Sequence, residues 1–130
     1  MALVELPVNT VTQKAIGAAI EVHRHLGPGL LESSYHTCLC RELELREIPF
    51  QSQVALPLDY KGVTLPRSYV IDLVIADTLI VEVKSVEALQ PVHSAQIMTY
   101  MRLMSIQCGL LLNFNVTILP HGIRRVLLSV

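Results

Sequence analysis

Between Tyr69 and Ser85 the chain reads YVIDLVIADTLIVEVKS, two Val/Ile/Leu-rich stretches joined by a short break. Such residues favour strands, and Asp77 suits a turn, so the segment predicts paired strands over Ser68–Ala76 and Thr78–Ser85. Into this apolar ribbon are set Asp72, Glu82 and Lys84. A charge taken out of water is costly unless it is partnered, so the three require one shared explanation. Strand alternation puts Val70, Asp72 and Val74 on one face and Ile80, Glu82 and Lys84 on one face. Asp72 meets Glu82 only if paired residue numbers have an even sum. A two-residue turn at Asp77–Thr78 breaks that parity and sets Asp72 opposite Val83. A three-residue loop, Ala76–Thr78, or a bulge restores it, and one of these is expected. Two hard carboxylate ligands with open positions suit Mg²⁺ or Mn²⁺, and Lys84 can orient water or neutralise developing charge. The structural alternative is a half-buried carboxylate–lysine ion pair, which would leave a residual negative charge.

The flanking sequence predicts an α/β (α+β) domain over residues 1–130. A helix over 10–26, capped by Thr10, has Ile16, Ala19, Ile20, His23 and Leu26 on one face. Gly27-Pro28-Gly29 breaks it. A second helix runs from about Leu30 to Arg46, with Leu31, Tyr35, Leu39 and Leu43 in one stripe and Glu32 in the first turn, where a carboxylate suits the helix dipole. Gln53–Tyr60 reads as a strand kept to a sheet edge by Pro57. A turn at Tyr60–Val63 and a short strand before Pro66 follow. After the two central strands, Pro91 opens a helix to Met104. Gln107–Asn115 is apolar without alternation, as in a strand covered on both faces. Pro120-His121-Gly122 makes a turn before a last strand, Ile123–Leu128. The order is α-α-β-β-β-β-α-β-β.

A net charge of −1, with 16% charged residues, argues against tight non-specific binding through phosphate contacts. It leaves room for a metal-dependent nuclease, because a cation supplies local positive charge. Cys38, Cys40 and Cys108 are odd in number, lack zinc spacing and read as buried, reduced thiols. No apolar run is long enough to span a bilayer; a soluble, cytoplasmic protein with no membrane partner is expected. The apolar content, about half the residues, points toward a homodimer. The five histidines show no zinc-ligand pattern, although His93 follows Lys84 closely enough to touch a substrate.

Asp-x9-Glu-x-Lys on adjacent strands, followed by a helix, resembles the PD-(D/E)xK phosphodiesterase superfamily. Gly29-Leu-Leu-Glu32-Ser-Ser-Tyr35 resembles the signature of the GxxExxY proteins, and the similarity continues through Ile20–Gly29, Val81–Val86, Pro91–Gln96, Gly109–Val116 and Gly122–Val126. The resemblance implies a restriction-endonuclease-like core: a mixed sheet flanked by helices. It implies Mg²⁺- or Mn²⁺-dependent hydrolysis of nucleic-acid phosphodiesters, DNA before RNA. The implied metal ligands are Asp72, Glu82, the Val83 carbonyl and Glu32, with Lys84 catalytic. Gln96-Ile-Met-Thr-Tyr100 resembles the last motif of RecB-like nucleases; Gln96 would position Lys84, a water or a phosphate, and Tyr100 shares its helix face. Tyr100, His93 and Tyr35 are candidate substrate contacts. Val70 stands where relatives often carry a basic residue, which removes one phosphate contact. The alternative is a non-catalytic nucleic-acid- or protein-binding module on the same fold.

Overall fold

Two glycines in left-handed backbone, Gly27 (φ 69°) and Gly29 (φ 94°), separate the first two helices. They are α1 (Val8–Leu26) and α2 (Glu32–Leu45) in the computed structural model, which describes residues 8–129. The expected domain over 1–130 therefore includes residues 1–7 and 130, which lie outside the described residues. Helix α1 starts two residues before Thr10, and its buried face overlaps the expected one only in part: Ala19 and His23 are buried, but Ile16 is half-buried. Val11, Ala15, Ala18, Ala19 and Val22 are buried, whereas Ile20 and Leu26 are exposed. Alanines have no bulk beyond Cβ, so this face brings the helix axis closer to the sheet than an isoleucine face would. In α2, Tyr35, Leu39 and Leu43 are buried as the stripe predicts. Leu31 is not: it is the extended residue before the helix and is 74% exposed.

Five strands form one mixed sheet whose spatial order follows the sequence: β1 (Phe50–Tyr60), β2 (Val63–Ile75), β3 (Leu79–Lys84), β4 (Cys108–Asn113) and β5 (Ile123–Leu127). All neighbours are antiparallel except β3 and β4, which are parallel and joined through α3 (Pro91–Met104). Helix α3 has the predicted bounds. Three strands, not four, precede it, because the short strand before Pro66 and the strand from Ser68 are one element. The reason lies in the β1–β2 register, which shifts between Leu56↔Tyr69 and Leu58↔Leu65. Pro57 and Pro66 both fall inside that irregularity, so neither has to supply a ladder N–H. β1 lies at the sheet edge, as Pro57 requires.

Helices α1 and α2 cover one face of the sheet, over Leu73, Ile75, Val81, Val83, Leu110 and Leu112. Helix α3 covers the other, over Ile71, Val74, Ile80 and Leu111. Interior strand β4 is buried at all six positions, which explains its unbroken apolar run. Gly109 lets α3 approach it: a Cβ there would lie 2.9 Å from both Ile97 Cδ1 and Met101 Sδ. Among the described residues no helix is long and apolar enough to cross a membrane.

Candidate metal centre

The hairpin joining β2 to β3 has the odd loop that parity demands. Ile75 pairs with Leu79, Val74 with Ile80 and Leu73 with Val81, leaving Ala76–Thr78 as the connection. Thr78 N–H donates to the Ile75 carbonyl (3.1 Å), and Ala76 and Asp77 both have positive φ, 50° and 57°. These are the φ signs of a tight hairpin turn whose twist matches the strands. Continued by one step, the register sets Asp72 opposite Glu82.

At that step the ladder stops and the side chains replace it. Asp72 N–H donates to Glu82 Oε1 (3.0 Å), and Val83 N–H donates to Asp72 Oδ2 (2.8 Å). Each carboxyl thus takes up a strand N–H that would otherwise lack a partner, and the strands part around them. Simple alternation does not hold on β2: Ile71 and Val74 both pack toward α3, while Leu73 and Ile75 face α1 and α2. The expected common face of Val70, Asp72 and Val74 is therefore corrected. Asp72 sits where the strand changes faces. β3 does alternate, and Glu82 follows Ile80 on the α3 side, with Lys84 next along it.

Glu82 is 4% exposed. Burial pushes its carboxyl up to about 8, and the Asp72 charge beside it pushes the same way; Lys84 pulls in the opposite direction. The close pair thus holds a proton between them near neutrality, as adjacent carboxyls do. A divalent cation can take the place of that proton and neutralise both groups. Among the described residues no three His, Cys, Asp or Glu side chains converge on one point. Asp72 and Glu82 are the two carboxyls close enough to share one ion, and the Val83 carbonyl is on the strand beside them.

Glu32 lies elsewhere on the same cleft. Its Oε1 accepts Ser85 N–H (3.3 Å), and Ser85 Oγ donates to the Leu30 carbonyl (2.6 Å), so the start of α2 is tied to the end of β3. The cleft, of about 350 Å³, is lined by Glu32, Ser33, His36 and Thr37 from α2 and by Gln53, Asp72 and Val83 from the sheet. Sequence reasoning missed Ser33, His36, Thr37 and Gln53. For His36 a signal existed: it stands four residues after Glu32, on the same helix face.

The remaining residues divide clearly. Tyr35 is fully buried, stacked on Phe114 at 4.6 Å between ring centroids. Its hydroxyl donates to the Gly27 carbonyl (2.6 Å) and accepts Leu30 N–H (3.1 Å). The structure therefore replaces the expected substrate contact with a buried brace for the turn that presents Glu32. His93 Nδ1 accepts Gln90 N–H (2.9 Å) and so closes the start of α3. Tyr100 is buried and meets Tyr69 edge-on. Burial, then the charges of Glu82 and Asp72, raise its hydroxyl to about 12, which places it within electrostatic reach of the pair. Gln96, one turn earlier, is exposed and has no hydrogen bond to the described residues. Of the thiols, Cys108 is buried as expected, but Cys38 and Cys40 are only half-buried.

A family model described as the PD-(D/E)XK nuclease superfamily matches residues 9–126. No curated protein and no solved structure gives a significant match.

Proposed function

Because this chain belongs to the PD-(D/E)XK nuclease superfamily, we propose that it is a Mg²⁺- or Mn²⁺-dependent nuclease that cleaves phosphodiester bonds, with DNA as the preferred substrate. The observation that carries the reading is the meeting of Asp72 and Glu82 where the β2–β3 ladder ends, with Lys84 two residues further along the same strand. Within the superfamily, Gly29, Glu32 and Tyr35 support a place among the GxxExxY proteins.

Asp72, Glu82 and the Val83 carbonyl would hold the cation. A bound divalent ion supplies charge stabilisation at the phosphoryl oxygen and makes an attending water more acidic. The strand N–H groups of Asp72 and Val83 orient the two carboxyls before any ion arrives. Lys84 offers an ammonium beside Glu82, where it can orient the attacking water or offset charge on the phosphate. Glu32, held by Ser85 N–H, acts on water in the cleft rather than directly on the ion. Tyr100 fits a supporting position behind Glu82. Gln96, exposed on α3, is free to meet substrate or to turn toward Lys84.

The test uses purified protein and end-labelled DNA, with and without Mn²⁺, beside Lys84→Ala. Mn²⁺-dependent cleavage by the unaltered chain and its loss by at least about 100-fold in Lys84→Ala are expected. Cleavage that persists unchanged in the variant would refute the assignment. A non-catalytic binding module is the second reading. It is favoured by the net charge of −1, which gives little general attraction for a polyanion. Failure of Mn²⁺ to bind at millimolar concentration in calorimetry would select it.

A further inference from the structure

We infer that Gln53 is a substrate-contacting residue, whose amide reads a base or sugar edge of the nucleotide beside the scissile phosphate. The inference rests on the nuclease reading above and names the chemistry of the cleft beside its acids.

Gln53 is a non-glycine residue with φ 57° in the middle of β1. Left-handed backbone costs such a residue about 1–2 kcal/mol, and strand geometry does not require it here. β1 and β2 keep one register from Phe50↔Ile75 through Leu56↔Tyr69, so no residue is inserted at this point. What changes is the direction of the side chains. Phe50 packs toward α1 and α2, whereas Val54 and Leu56 pack toward α3. β2 changes faces at Asp72, and Asp72 is the residue opposite Gln53, since Ser52 pairs with Leu73 and Val54 with Ile71. One coupled twist therefore delivers both side chains out of the sheet's cores and into a common cleft. For Asp72 the result is a ligand position. For Gln53 it is an exposed primary amide with no hydrogen bond to the described residues.

The surroundings select the kind of contact. Among the described residues no lysine or arginine lines the cleft, Lys84 standing outside its lining; the α2 residues across from Gln53 are Ser33, His36 and Thr37. His36 Nε2 is hydrogen-bonded to Ser52 Oγ (2.7 Å), which clamps the residue before Gln53 against α2. Around Gln53, a surface without lysine or arginine gives little purchase on phosphate charge. A primary amide, with two donors and an acceptor, matches the paired donor and acceptor groups of base edges. Those edges are open to side chains chiefly where bases are unpaired. A cleft of about 350 Å³ has the size of a small-ligand pocket, room for one nucleotide unit. The substrate class is thus a strand presenting an unpaired nucleotide at the cleavage position.

The experiment measures anisotropy of a fluorescein-labelled single-stranded oligodeoxynucleotide with Ca²⁺ as the divalent ion. Gln53→Gly is the decisive variant, because glycine accepts φ 57° freely and only the side chain is lost. Its affinity should fall about tenfold, as for one hydrogen bond left unmade. The fold-loss should be the same at low and high salt, because an amide releases no counterions. Melting temperature should hold or rise, Mn²⁺ affinity by calorimetry should stay unchanged, and Gln53→Asn should recover part of the loss. Wild-type affinity in Gln53→Gly would overturn the inference alone, as would a matching drop in its Mn²⁺ affinity. An unaltered chain that takes up Mn²⁺ and binds a duplex of the same sequence but not the single strand would overturn the inference alone, whereas one that takes up Mn²⁺ and binds neither would overturn the nuclease reading, and this inference with it.

Discussion

Replacing Glu82 by glutamine should make the metal-free protein more stable at neutral pH, although it removes a proposed ligand. Glutamine keeps the shape, can accept Asp72 N–H as Glu82 Oε1 does (3.0 Å), and can donate an N–H toward Asp72 where the protonated acid donates its O–H. In the unfolded chain Glu82 ionises near 4.5; in the fold, burial and the Asp72 charge raise it to about 8. The folded state therefore keeps a proton that the unfolded state gives up throughout that window. For a group raised in this way, stability is fully present below about 4.5 and is lost as pH rises through about 8. At pH 7 the loss is on the order of 3 kcal/mol, from about two and a half pH units at about 1.4 kcal/mol each. The neutral amide in Glu82→Gln has no such proton to lose. With about 2.1 cal/mol/K of unfolding entropy per residue, about 3 kcal/mol corresponds to about 10 °C in Tm.

The assay is thermal unfolding by circular dichroism in EDTA, wild type against Glu82→Gln, from about pH 4.5 to 8.5. The two Tm values should nearly coincide at the acid end and diverge steadily, with the variant higher, up to about pH 8. Adding Mn²⁺ should then raise the wild-type Tm by mass action and leave the variant's almost unmoved. A variant less stable than wild type at about pH 7.5, or a difference that does not change with pH, would refute the reasoning about the carboxyl pair.

Two more outcomes follow from the same geometry. Mn²⁺ binding should release close to one proton at pH 7 and progressively less above about 8, because the cation displaces the proton held by Glu82; calorimetry in buffers of different ionisation enthalpy measures this, and no release at pH 7 would contradict it. Tyr35→Phe should lower stability by about 1–2 kcal/mol, since the Gly27 carbonyl and Leu30 N–H both lose their partner. Urea midpoints report that loss, and Mn²⁺ affinity should change far less than stability if Tyr35 braces the turn and touches no ligand.

How much of this was legible beforehand depends on whether a feature is periodic. β4 could be read because six consecutive buried positions leave an unbroken apolar run, and α3 because Pro91 pre-sets its first turn. The Asp72–Glu82 pairing was legible as arithmetic on strand parity, which demands an odd loop or a bulge at the hairpin, and Ala76–Thr78 supplies the odd loop. Bulk is a poor guide to burial on α1. Of the expected face Ala19 and His23 are buried, but close approach to the sheet favours Ala15 and Ala18 over Ile16 and Ile20. Pro66 reads as a strand end, because nothing local reveals that it shares an irregularity with Pro57, nine residues earlier in the chain. The place of Gln53 in the cleft was hidden for a deeper reason. A left-handed φ at Gln53 leaves no trace in composition, and glutamine is not a residue that signals it as glycine or asparagine would. That one dihedral, opposite Asp72, reverses the side-chain alternation that strand reading assumes. The same twist that spoils the expected common face for Asp72 and Val74 lets a carboxylate leave the apolar core at all. The proposed metal ligand Asp72 and the proposed substrate contact Gln53 therefore owe their places to one local departure from strand geometry. A straight β1–β2 ladder would send Asp72 and Gln53 each to one of the two helix-covered faces, where an ion and a nucleotide are equally excluded.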